Sequence, residues 1–278
     1  MWRKLLMTTT FFVLSAALAS STTAVQAADI DPKLRVELEN VAQKRIYFGH
    51  QSVGNNLLDG VRQLSSQAGV PVRIAESPSA NGVLPATFGH TPVAKNGDPL
   101  QKLQSFEQAM GQQPSGLDVA LVKFCYVDIV GNTDAKALFA KYRATVDSLK
   151  AKHPGTVFVH VTAPLTIAQS GLKATIKNLI GRIPYGVVEN QRREEYNALL
   201  RQAYQGREPI FDLARVESTA PNGTAVTVEW KGVTSPAMTE AYTDDGGHLN
   251  GAGKLRVARE LISILASIPQ KPIPDSAR

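Results

Sequence analysis

Two short runs in this chain are apolar almost without interruption, and they narrow the possible folds more than any other feature. Asp118 to Phe124 reads Asp-Val-Ala-Leu-Val-Lys-Phe, and Thr156 to Val161 reads Thr-Val-Phe-Val-His-Val. A strand with one wet face alternates apolar and polar residues, whereas a strand covered on both faces does not. Longer stretches of helical period surround these runs. Val53 to Ala68 places Leu57, Leu58, Val61 and Leu64 on one side. Asp134 to Lys152 is a second helix, closed by His153-Pro154-Gly155, and Glu189 to Gln205 is a third. Gly251 to Ile268 is the last, with Leu255, Ala258, Leu261, Ile262 and Leu265 on one face. Lys44 to Phe48, Val70 to Ala75 and Pro209 to Leu213 read as further strands. Strands alternating with helices predict an α/β fold, with a mostly parallel five-stranded sheet covered on both faces. One domain spanning residues 28–268 is expected.

The amino terminus stands apart. Trp2-Arg3-Lys4 is a short cationic start, Leu5 to Ala19 is apolar or small, and Val25-Gln26-Ala27 fits a small-x-small cleavage site. The segment reads as a signal peptide over residues 1–27, cut before Ala28, and implies a secreted or periplasmic protein. An uncleaved anchor is the alternative. Cleavage removes Arg3 and Lys4, so the net charge falls from +6 to +4.

That charge is spread along the chain, and runs such as Gln191-Arg192-Arg193-Glu194-Glu195 mix both signs. With no basic stripe interleaved with aromatics, nucleic acid is not an expected partner. No second apolar run reaches the roughly 20 residues of a membrane span, so no stable membrane insertion is expected after cleavage. A single cysteine, Cys125, rules out an internal disulfide and a four-cysteine zinc site. At the end of a buried strand it reads as a small apolar filler.

Three connections are longer than a compact domain requires: Pro78 to Pro99, Thr162 to Val188, and Ala214 to Asp244. The second holds a weak helical pattern over Leu172 to Ile180. The third holds the alternating Ala225-Val226-Thr227-Val228-Glu229-Trp230, which suggests a hairpin arm. The last residues, 269–278, read as a disordered tail. In an open parallel sheet the ligand crevice lies beyond the carboxyl ends of the strands. Gly49-His50, Cys125-Tyr126 and Thr162-Ala163 all stand there.

The most informative string is Tyr242-Thr243-Asp244-Asp245-Gly246-Gly247-His248-Leu249-Asn250. Two glycines allow a tight turn, so the Asp245 carboxylate can accept from one imidazole nitrogen of His248. That fixes the tautomer and leaves the other nitrogen as a base. Asp244 is the rival carboxylate, and a plain capping loop with an exposed histidine is the alternative. The matching nucleophile is in Gly49-His50-Gln51-Ser52-Val53-Gly54-Asn55-Asn56, where the first strand gives way to the first helix. Ser52 there is either exposed beside helix N–H groups that can stabilise an oxyanion, or it simply caps the helix. Position alone leaves both open.

Together these two strings resemble the SGNH/GDSL hydrolase family, whose nucleophilic serine follows the first strand and whose Asp-x-x-His precedes the last helix. Asp245-Gly246-Gly247-His248-Leu249-Asn250 matches that final block closely, and the resemblance covers most of the chain beyond the leader. It implies a three-layer flavodoxin-like sandwich and ester hydrolysis through an acyl enzyme. In that scheme Ser52 is the nucleophile, His248 the base, and Asp245 the orienting carboxylate. The chain departs from the family at the nucleophile, where Gly49-His50-Gln51-Ser52 replaces Gly-Asp-Ser. It departs again where Lys123-Phe124-Cys125-Tyr126-Val127-Asp128 lacks the family's oxyanion asparagine. Ser52 and Gly97 are the backbone donors the resemblance suggests, with Gly82 and Gly89 competing for the latter role. Asn55, Asn96 and Tyr126 are candidate side-chain replacements, and His50 and Gln51 are candidate substrate-binding residues.

The expected substrate is a small-molecule or glycan ester with a short acyl group, and no cofactor or metal is required. A site built from His50, His90 and His248 lacks helical metal-ligand spacing. His153 reads as a helix-end residue and His160 as a strand residue. Tyr196 and Leu199 are expected on the inner face of an otherwise solvated helix. Two alternatives remain open at this point: acyl transfer to an envelope glycan by the same three residues, or a catalytically weak glycan-binding module.

Overall fold

The computed structural model describes residues 31–169, 171, 176–177 and 179–270. The leader expected over 1–27 lies outside the described residues, as do Leu172 to Thr175 and Asn178 of the weak helical pattern and 271–278 of the expected tail.

Six strands, all parallel, form the central sheet: β1 (Ile46–His50), β2 (Ile74–Glu76), β3 (Phe88–Pro92), β4 (Val119–Val122), β5 (Val157–Val161) and β6 (Ile210–Phe211). Their order is β2-β3-β1-β4-β5-β6. The sheet therefore has one strand more than the five expected from sequence. The extra strand, β3, lies inside the stretch 78–99 expected to be a long loop. Its sequence, Phe-Gly-His-Thr-Pro, carries no strand pattern, and its place between β1 and β2 comes from tertiary pairing. Gly89 is required there, since a Cβ would fall 2.4 Å from a Val83 methyl group.

Side chains leave successive strand positions toward opposite faces, so adjacent residues join different layers. Ile46 and Phe48 of β1 pack with Val119 and Leu121 of β4 in one apolar cluster; Tyr47, Ala120 and Val122 belong to another. The first cluster is covered by α1 (Pro32–Ala42), α2 (Val53–Ala68) and α7 (Gly251–Ser267). The second is covered by α3 (Pro99–Met110), α4 (Ala135–Lys152) and α5 (Val187–Tyr204). This is a three-layer α/β sandwich of flavodoxin type. A short helix α6 (Leu213–Glu217) follows β6, and an antiparallel hairpin, β7 (Thr227–Trp230) with β8 (Val233–Pro236), occupies the third long connection.

Two helices, α1 and α3, are additional to those read from the sequence periodicity. Each starts at an Asp-Pro pair, Asp31-Pro32 and Asp98-Pro99. The aspartate accepts a backbone N–H of the first turn, and the proline fills a position that needs no donor. The inner face of α5 also differs from expectation. Tyr196 is buried, but its apolar neighbour inside is Leu200 rather than Leu199, and Asn190, Arg193 and Asn197 are buried with them. No helix among the described residues is long and apolar enough to cross a membrane.

The topology fixes where a site can form. From β1 the chain moves outward to β2, returns through β3, and then crosses to β4 on the other side of β1. β1 is thus the strand at which the winding reverses, and the crevice of such a sheet opens beyond its carboxyl end. Ser52 follows that end directly.

Candidate active site

Ser52 occupies the N-cap position of α2, yet its side chain makes no capping hydrogen bond. Its backbone stands at φ +47°, ψ −105°, a region that a residue with a Cβ rarely adopts. The tight packing of the turn holds it there. A Cβ on Gly54 would lie 2.4 Å from the His50 side chain, and one on Gly49 would lie 2.5 Å from the Phe106 ring. The first bonded amides of the turn are those of Gly54, to the Gln51 carbonyl, and Asn55, to the Ser52 carbonyl. The hydroxyl is turned away from the helix, and Ser52 Oγ lies 2.5 Å from His248 Nε2.

His248 is held from its other nitrogen. Nδ1 lies 2.7 Å from Asp245 Oδ2. Asp245 Oδ1 accepts the backbone N–H groups of Gly247 at 2.9 Å and His248 at 2.7 Å, and a hydroxyl from Thr243 at 3.3 Å. Burial is the largest single influence on Asp245 and works against its charge, but the Gly247 and His248 N–H groups and the imidazole together outweigh it. Together they hold the carboxyl well below the usual carboxylate range. An ionised Asp245 requires the proton on Nδ1, which leaves the Nε2 lone pair facing the Ser52 hydroxyl. Asp244 takes no part: its Oδ1 receives the Asn250 amide at 3.3 Å while Asn250 caps α7. Asn56, a residue with no conspicuous sequence signal, ties the two segments together by accepting the Leu249 N–H at 3.2 Å.

The residues suggested as oxyanion donors are distributed unevenly. Gly97 gives its N–H to Asp128 Oδ1 at 2.7 Å, so that donor is already spent. Gly89 lies within β3. Asn55 is exposed on the first turn of α2. Asn96 is in a different position. Its Oδ1 accepts from the Lys102 ammonium at 2.7 Å. Lysine can only donate, so the amide Nδ2 must face the other way. The same ammonium lies 2.6 Å from Asp128 Oδ2, and both side chains are fully buried. Asp128 Oδ2 also receives the Cys125 N–H at 2.5 Å. One buried ion pair thus braces the loop of Asn96 and Gly97 against the end of β4. That loop joins the Ser52 turn through Gln51, whose Nε2 donates to the Ala94 carbonyl at 2.7 Å, and through the Val93 N–H, which bonds the His50 carbonyl at 2.9 Å.

One expectation for the substrate side needs correction. His50 is 1% exposed, under the first turn of α2, where its Nε2 lies 3.1 Å from His90 Nδ1. It cannot touch a substrate. Gln51 is half-buried, and its Nε2 serves as the strut to Ala94. Tyr126 lies edge-on to the His248 ring with centroids 5.6 Å apart, in space that only a glycine at 247 leaves open. Burial, reinforced by the charge of Asp245, pushes its phenol up to about 12, so it remains a neutral donor. Its loop is anchored from α5. Arg193 donates to the Tyr126 carbonyl at 3.0 Å, the Ile129 carbonyl at 3.2 Å and Thr166 Oγ1 at 3.0 Å. Asn190 and Asn197 bind the backbone at Thr166 and Ala163 in the same way. The helix expected to be solvated is thus a polar clamp on the loops after β4 and β5.

The His248 and Asp245 side chains are 44% and 58% exposed, so water reaches the imidazole directly. Cavity size does not single out this place. Hollows of about 680 and 670 Å³ lie elsewhere, one around Arg201 and Asp212, the other between the start of α4 and the outer face of α5.

No family model matches the chain, and no curated protein is similar to it. Among solved structures, the chain is similar to an acetyl xylan esterase, AlAXEase, at 14% identity and a TM-score of 0.45, over 78% of this chain and 97% of that one. It is similar to a protein provisionally described as a platelet activating factor from Streptococcus pneumonia, at 13% identity and a TM-score of 0.49, over 84% and 91%. It also resembles the salicylyl-acyltransferase SsfX3 of a tetracycline biosynthetic pathway, at 12% identity and a TM-score of 0.41, over 81% of this chain and 55% of that one. All three are remote likenesses.

Proposed function

We propose that this protein is an exported serine hydrolase that cleaves an acyl ester. The observation that carries the proposal is the 2.5 Å approach of Ser52 Oγ to His248 Nε2, made by a serine whose helix-capping role is left unused. Ser52 Oγ attacks the ester carbonyl carbon while its proton passes to Nε2. Collapse of the tetrahedral intermediate breaks the ester bond, and the Nε2 proton leaves with the alcohol. Water then attacks the acyl-Ser52 carbonyl and gives its proton to Nε2; collapse breaks the bond from the acyl carbon to Ser52 Oγ, the acid leaves, and Nε2 returns the proton to Oγ. Asp245 holds the ring and stabilises the imidazolium without taking its proton. The Ser52 N–H and the Asn96 amide are the proposed oxyanion donors.

The exposure of His248 favours water as the acyl acceptor over a second hydroxyl compound. An open setting of this kind suits a short acyl group on a carbohydrate or envelope glycan. Export follows from the leader, and the intact mass of protein recovered from outside the cytoplasm should correspond to a chain starting at Ala28.

The test of the chemistry is turnover of a short-chain chromogenic acyl ester by the wild type beside Ser52→Ala and His248→Ala. Each substitution should lower kcat by a factor on the order of 10⁴ or more. Equal, slow turnover by all three would overturn the proposal.

A further inference from the structure

The connection between β5 and α5 carries an apolar stripe that faces water. Ile176, Leu179 and Ile180 follow the helical spacing i, i+3 and i+4, the N–H of Ile180 bonds the Ile176 carbonyl at 3.2 Å, and Ile183 follows just beyond the turn at Gly181, whose φ is +71°. A helical turn on the surface of a globular protein normally faces such side chains inward; here they face water. Leu179 is 81% exposed. With Tyr185, this segment supplies five of the eleven large apolar residues exposed among the described residues. Val127 and Val130, also exposed, stand on the next loop, whose Gly131 packs against Val188. Apolar side chains gathered in this way mark a surface that something covers.

Charge identifies what covers it. From Pro164 to Val188 the sequence has Lys173, Lys177 and Arg182 and no aspartate or glutamate. Lysines are depleted from protein–protein interface cores. An apolar stripe whose own segment carries only cations matches an interface of acyl chains below anionic headgroups. The segment is also rooted at the candidate active site. The Ile167 N–H bonds the Gly246 carbonyl at 3.0 Å, two residues from His248, and the Gln169 N–H bonds the Tyr185 carbonyl at 2.9 Å.

We infer that this segment docks the protein on an anionic lipid bilayer, with Ile176, Leu179, Ile180 and Ile183 in the headgroup boundary and Lys177 and Arg182 on lipid phosphates. The crevice above β1 then opens along the membrane surface. The docking stands by itself; that it brings Ser52 to esters held at that surface rests on the hydrolase proposal.

The experiment is co-sedimentation of the full chain with vesicles of phosphatidylglycerol and phosphatidylethanolamine, and with vesicles of phosphatidylcholine alone. Wild type, Leu179→Asp and Lys177→Gln are compared, with turnover of a soluble acyl ester as a separate readout. The leader is common to all three proteins, so the differences report this segment. Binding to the anionic vesicles should fall at least roughly tenfold for Leu179→Asp and roughly fivefold for Lys177→Gln. It should weaken with salt, while soluble-ester turnover stays unchanged. Equal binding by all three proteins, or no preference for the anionic vesicles, would overturn the docking. Ser52→Ala should sediment as wild type does, so loss of the esterase reading and loss of the docking are seen separately.

Discussion

Asp245 and Asp244 are neighbours in sequence with different partners: Asp245 Oδ2 lies 2.7 Å from His248 Nδ1, whereas Asp244 Oδ1 accepts from Asn250. The two carboxylates therefore separate in function. Asp245→Asn can no longer require the proton on Nδ1 and should lower kcat by about 10⁴ while leaving the fold intact. Asp244→Asn should stay near wild type. Steady-state turnover of the two variants checks this, and the reverse ranking would assign the carboxylate wrongly.

Asn96 is the proposed side-chain oxyanion donor, and Lys102 is the group that aims it. Asn96→Ala should lower kcat by roughly 10²–10³, the cost of one oxyanion donor, and should cost about 1.5–3 kcal/mol of stability because the buried Lys102 ammonium loses one acceptor. Lys102→Met leaves Asp128 buried without its cation and should cost about 3–5 kcal/mol of stability as well. Kinetics with denaturant unfolding on both variants distinguishes the two roles.

Acid should weaken the fold through His50. Burial, then the nearby positive charge of Lys123, then His90 and Arg62, lower its pKa from the ordinary 6.5 to about 3. The folded protein thus resists a proton that the unfolded chain accepts. This contribution to stability is complete above about pH 6.5 and is lost as the pH falls toward 3, at most about 4–5 kcal/mol by linkage. Thermal unfolding of His50→Phe, which keeps a ring against Phe48, should show a shallower decline over that window than wild type. An unchanged slope would mean that other groups set the acid limit.

The parts of this molecule legible in sequence are those specified locally. The Asp245–His248 turn is encoded by two glycines within four residues, and the buried strands by their unbroken apolar runs. The leading helices α1 and α3 were equally legible in principle, since Asp31-Pro32 and Asp98-Pro99 are start signals. What escaped was specified by distant packing. Lys102, Asp128 and Arg193 look like solvated charges in their own segments, because nothing local says that Lys102 will meet Asp128 or that Arg193 will reach the carbonyl of Tyr126. His50 is the opposite case. It lies beside Ser52 in sequence, but strand alternation turns it beneath α2 and away from any substrate.

Arg193 connects α5 to the site without facing it, and that supports a last prediction. Its guanidinium holds the carbonyls of Tyr126 and Ile129 and the hydroxyl of Thr166, while its charge lies 5.8 Å from the centre of the Tyr126 ring. Removing it frees the loop that presents Tyr126 to His248, but leaves Ser52, His248 and Asp245 bonded to each other. Arg193→Met should therefore lower kcat/KM chiefly through a higher KM, with kcat reduced less than tenfold. The variant should also lose about 1–3 kcal/mol of stability for each buried carbonyl left without a donor. Substrate-saturation kinetics alongside thermal unfolding decides it. A fall in kcat like that of His248→Ala would mean that the clamp also sets the geometry of the reacting groups.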